Sequence, residues 1–138
     1  MLSWLRRFGG LPSNSPSHAC LCGDGKFDYE IVGEASYQDR LRRISAGRRE
    51  HGEQHVTFRC YLRFEINGHT HMPAIRVEAS GGRTVGYFPA EQAEVYASIL
   101  REIEESGRRA ECDGVLVGGY GDKPTLGVWL DFKPSLLL

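Results

Sequence analysis

No part of this chain is apolar over the roughly 20 residues that a helix needs to cross a bilayer. Near its start Leu2, Trp4, Leu5 and Phe8 are interrupted by Arg6, Arg7 and a glycine pair. That interruption also leaves no continuous apolar stretch for a secretory leader, so a cytoplasmic location without membrane contact is expected. Cysteine is scarce, four in all. Cys20 and Cys22, with His18 upstream, are separated by one residue and have no second pair downstream, whereas structural zinc sites pair cysteines with about two to four residues between them. Reduced thiols are expected there, with no metal and no cofactor. Cys60 and Cys112 lie inside apolar runs, where a free cysteine serves as a small hydrophobe. Also missing are a nucleophile elbow, a phosphate-cradling glycine loop and a metalloprotease helix. The chain is expected not to be an enzyme.

What remains is one domain's worth of sequence: 138 residues, 41% hydrophobic, enough for a single core and too little for two. Leu11 to Ser17 is rich in Pro and Ser and reads as a linker. The expected organisation is an N-terminal tail and linker over 1–26, a domain over 27–133 and a short tail over 134–138. Net charge is only −1 but unevenly placed: Gln38 to Arg83 holds nine Arg against five acids, and Thr84 to the end nine acids against five bases. If the two map to different faces, the basic segment is where phosphate contacts belong.

Val56, Phe58, Cys60, Leu62, Phe64 and Ile66 alternate with Thr57, Arg59, Tyr61, Arg63 and Glu65, the pattern of a half-buried strand. Ile75, Val77 and Ala79 continue the apolar face. The turn Ser80–Arg83 feeds the strand TVGYF, two further strands flank the turn GDKP, and FDYEIVGEASY supplies the first strand. Two helices interrupt the strands. One follows Pro89, with Tyr96, Ile99, Leu100 and Ile103 as its buried stripe and Gly107 as its left-handed stop. The other is short, around QDRLRRISAG, with Leu41 and Ile44 facing inward. Mainly β with two helices, in a small, strongly bent, OB-like barrel, is the expected fold.

Candidate binding residues fall in three places. In FEINGHTHMPAIRV, an Asn67-Gly68 hairpin turn would place His69 and His71 on the face of Ile66 and Ile75, at the barrel rim; Pro73 argues for an irregular loop instead. Those histidines fit plain rim positions, a polar or phosphate contact or, least of all, two ligands of a metal that would need a third. Arg59, Tyr61 and Arg63 interleave on the outward face of one strand, and Arg40, Arg42, Arg43, Arg48 and Arg49 cluster beside Tyr37. Cations along a groove with aromatics that stack bases are how single strands are held, although outward Arg and Tyr also occur on any solvated sheet. Tyr87 sits at a strand end near the presumed mouth, and strand parity turns Trp129 outward.

The order IVGEASYQDRL, AIRVEASGGRTVGYFPAEQA, then Cys, Gly-Gly and GVWLDF, from Phe27 to about Phe132, resembles the HIRAN domain, closest to its small bacterial and phage-type members. The resemblance implies a non-catalytic barrel that grips single-stranded DNA or DNA ends, in the best known cases a free 3′-hydroxyl, often attached to a helicase-like motor. Its context would be DNA repair, replication or phage defence, with a helicase or nuclease as possible protein partner. Tyr37 matches an aromatic of the family's first cluster. Ala35 and Ser36 stand where that cluster carries an arginine, Gly68-His69-Thr70-His71 where it has an Asn-Pro-Tyr-Asp-type turn, and Pro89-Ala90 where lysines are found. A protein-interaction module that keeps the barrel but has lost the 3′-end pocket is the competing expectation.

Overall fold

A computed structural model of the chain describes residues 17–46 and 55–133. Seven strands and two helices follow one another as β1 (His18–Cys20), β2 (Tyr29–Glu30), a 3-10 turn (Glu34–Tyr37), α1 (Gln38–Ser45), β3 (Thr57–Ile66), β4 (Pro73–Ala79), β5 (Arg83–Tyr87), α2 (Ala90–Glu105), β6 (Arg109–Tyr120) and β7 (Lys123–Leu130). They form one curled sheet in the order β2-β7-β6-β3-β4-β5, antiparallel throughout that path, with β1 added parallel to β6. The expected mainly-β, bent-barrel fold with two helices is what forms.

The alternation read in β3 places Cys60 and Leu62 in the core, with Phe58 and Phe64 half-buried beside them. Ile75 and Val77 of β4 stand opposite Phe64 and Leu62 and extend the same face. α2 starts at Pro89, whose carbonyl accepts the N–H groups of Gln92 and Ala93. It ends on Gly107 at φ 81°, where the Arg108 N–H reaches back to the Ile103 carbonyl, a left-handed stop that suits glycine because it has no Cβ. Tyr96, Leu100 and Ile103 are buried and Ile99 is half-buried. Phe132 closes one end of the core, its ring 4.9 Å from Tyr29, 5.3 Å from Phe88 and 5.5 Å from Tyr96.

The sheet closes through a very short segment. β2 pairs with β7, and two residues later Val32 exchanges two hydrogen bonds of 2.8 Å with Tyr87 at the end of β5. The crossing is tight: a Cβ on Gly86 would lie 2.6 Å from Ile31 Cδ1 and 2.9 Å from the Val32 carbonyl. Only glycine admits that approach.

Part of the segment read as a tail packs against the domain: residues 18–20 form β1, Ala19 and Leu21 are buried, and the Gly23 N–H donates to the Asp131 carbonyl. The three residues of β1 are too few to register as a strand from their pattern alone. Cys20 and Cys22 lie side by side at the end of β1, with their Cα atoms 5.3 Å apart. Cys60 and Cys112 face each other across β3 and β6 as buried free thiols, both pushed up by burial. No helix among the described residues is long and apolar enough to cross a membrane.

Candidate nucleic-acid interface and the groove beside it

The outward face of β3 carries Arg59, Tyr61 and Arg63 as expected, but their neighbours across the sheet decide what they can do. Register puts Asp113 opposite Arg59, and Tyr61 opposite both Glu111 and Glu78. Arg59 Nε lies 3.4 Å from Asp113 and its Nη1 3.9 Å from Glu111. Arg63 lies 3.8 Å from Glu104 and 3.9 Å from Glu78. Arg76 pairs with Glu65 at 3.3 Å and Glu78 at 3.0 Å, and Arg109 with Glu78 at 3.3 Å. Glu78, only 2% exposed, is therefore a buried anion enclosed by three guanidiniums. Tyr61 is covered as well, with Arg109 4.3 Å from its ring centroid and His18 beside it. This face is a charge-compensated lattice, and no continuous cationic trough runs along β3.

The other cluster differs. Tyr37 closes the 3-10 turn and α1 follows at once, and this corner carries Arg40 and Arg43 as neighbours three residues apart and Arg42 between them on another face. Arg40 lies 5.2 Å over the Tyr37 ring and donates to the Thr84 carbonyl at 2.8 Å. Arg42 pairs with Asp39 at 2.9 Å, and no described residue pairs with the Arg43 guanidinium. Arg48 and Arg49 lie outside the described residues. The corner is held from below by side chains that complete the edge of β7: the Gln38 amide both donates to and accepts from the Leu126 backbone, and Glu34 accepts the Val128 N–H at 3.0 Å. Burial pushes the Glu34 carboxyl up, partly opposed by the Val128 N–H and reinforced by Glu30. Tyr87 meets this corner from β5, its hydroxyl 3.5 Å from Glu65. Burial, Glu65 and Tyr37 push that phenol up.

The histidines do not stand at a two-residue hairpin. Ile66 pairs with Pro73 and Phe64 with Ile75, so the loop runs from Asn67 to Met72. Asn67 organises it: its side-chain oxygen accepts the His69 and Thr70 N–H groups, and its carbonyl accepts that of His71. His71 takes a left-handed φ of 59°. The Asn side chain and Pro73 override the hairpin geometry that Asn-Gly suggests. Both histidines are exposed on this loop rather than aligned with Ile66 and Ile75. No group of three or more His, Cys, Asp or Glu gathers in metal-binding geometry among the described residues.

Sequence reading missed the groove between this loop and the first turns of α2, about 600 Å³ in volume, floored by Val32, Met72, Ala74, Tyr87 and Phe88 and rimmed by Glu65, Glu91 and Glu94. Its only sequence signal is the pair of apolar residues, Val32 and Met72, left outside the alternating pattern. Trp129 faces outward as parity requires, opposite Glu30 of β2, and lines a separate cleft of about 630 Å³ with Glu34 and Asp122. No family model, curated protein or solved structure matches the chain.

Proposed function

We propose that the protein is a non-enzymatic module that binds single-stranded nucleic acid, DNA foremost, by its end, at the corner formed by Tyr37, Arg40, Arg42 and Arg43. The observation that carries this reading is the guanidinium of Arg40 set over Tyr37 on a helix with three arginines against one acid. A terminal base stacks on the remaining tyrosine face, and phosphates meet Arg40 and Arg43. Base stacking on an aromatic is worth about 1–3 kcal/mol. Arg59 and Arg63 take no part, because carboxylates already hold their charge, nor does Tyr61, whose ring Arg109 covers; the ligand therefore sits at a corner and does not track along the sheet. The order of HIRAN-like motifs adds to the reading, and a role in DNA repair, replication or phage defence beside a helicase or nuclease follows from that resemblance alone.

Two or three phosphate contacts set the expected salt dependence: a slope between about −1.4 and −2.1 in log affinity against log salt for a single strand. Fluorescence anisotropy of labelled single-stranded DNA with a 3′-hydroxyl or a 3′-phosphate, at several salt concentrations, tests this. A hydroxyl preference assigns end reading; equal, salt-sensitive binding leaves backbone contact. No binding at low salt ends the nucleic-acid reading and leaves the barrel as a protein-interaction module.

A further inference from the structure

We infer that the groove between the Asn67–Met72 loop and the start of α2 is a docking site for a protein segment carrying an apolar anchor side chain flanked by lysine or arginine. The groove adjoins the α1 corner through Tyr87, which meets both, but the inference does not depend on what that corner binds. Four large apolar side chains are exposed among the described residues: Val32 at 45%, Met72 at 47%, Ile66 at 53% and Val95 at 60%. Val32 and Met72 line the groove, while Ile66 and Val95 are the chain neighbours of its lining residues Asn67 and Glu94. Two of the four exposed apolar side chains thus meet in one groove, the arrangement that marks an interaction surface.

Charge selects the occupant. Glu65 is answered by Arg76, but Glu91 and Glu94 have no cationic partner among the described residues. They stand over an apolar floor, where a phosphate would be repelled and a lysine or arginine beside an aliphatic anchor would be matched. Carboxylates on the first turns of a helix also cost the fold nothing, because they complement the positive end of its dipole.

The test uses the full chain and a labelled synthetic peptide in which Leu and Trp are flanked by arginines, with a control carrying glutamates at those positions. Binding of the arginine peptide is expected, with at least a tenfold loss in the glutamate control. A loss of that order is also expected for Met72→Glu and for Glu91→Lys combined with Glu94→Lys, all at exposed positions whose unchanged circular dichroism confirms folding. Equal binding of both peptides, or binding indifferent to all these substitutions, overturns the inference. So does single-stranded DNA whose binding is lost in Met72→Glu. Peptide binding that emerges only after Trp4→Ala with Phe8→Ala would assign the groove to the chain's own N-terminal segment and overturn it equally.

Discussion

Arginines on the sheet face and arginines on α1 look alike in the sequence and have different physical fates. On the sheet, Arg59, Arg63, Arg76 and Arg109 stand among Glu65, Glu78, Glu104, Glu111 and Asp113, each guanidinium within 4 Å of a carboxylate. On α1 only Asp39 opposes three arginines. A cation's availability is set by its cross-strand and same-helix neighbours, not by its exposure: Arg63 is 43% exposed and still held from two sides. The sheet arginines are all matched by carboxylates, whereas on α1 only Arg42 is matched among the described residues.

The sharpest way to break this contrast is to remove the anion at the centre of the lattice. Glu78→Ala leaves Arg63, Arg76 and Arg109 without their shared partner. Stripping one member from a buried ion cluster costs about 3–5 kcal/mol, and because the arginines remain partly solvated the lower end, about 3 kcal/mol, is expected as a shift in the urea midpoint. An unchanged midpoint would show that the lattice contributes little to cohesion.

Gly86→Ala strains the barrel closure without touching any charge. Overpacking at such a contact costs about 1–3 kcal/mol, and unfolding should occur at lower denaturant with the sheet-face ion pairs intact. Ligand binding then separates the two arginine sets. Arg43→Ala should weaken single-stranded DNA binding several-fold at low salt and reduce the salt slope by about 0.7. Arg59→Ala should leave affinity within twofold and stability within about 1 kcal/mol, as for exposed ion pairs in general. Equal effects from both would erase the distinction.

The smallest effect is a pH dependence. Glu34 has its carboxyl raised, chiefly by burial, so the folded state holds its proton more tightly than the unfolded state does. Its contribution to stability is therefore favourable below the ordinary carboxylate range and declines as pH rises from there through the folded value. Glu34→Gln keeps an acceptor for the Val128 N–H and should raise the melting temperature slightly at neutral pH, with no gain in acid. A lowered melting temperature at neutral pH would show that the charge itself is needed.

The fold was largely legible because strand alternation is local. The inward set of β3 and the stripe of α2 follow from residue spacing, and Gly107 marks a helix end by its own backbone freedom. What decides the site is not local. That Asp113 answers Arg59 depends on the register between strands about fifty residues apart, which no periodicity reports. Asn67-Gly68 was misleading for a different reason: the Asn67 side chain caps the following backbone and builds a six-residue loop. The groove was invisible because Val32, Met72 and Glu94 share nothing in sequence and meet only once the sheet has curled.

Residues 29–32 serve as a seam, gripping β7 with one side and β5 with the other. A fluctuation that lifts this seam frees two strand edges at the same moment, together with the Val32 wall of the groove. Local opening there cannot be confined to a single edge, so amide protection at Val32 and Tyr87 should rise and fall as one. Any ligand that covers Val32 would tighten the whole circuit of strands, far beyond the surface it touches.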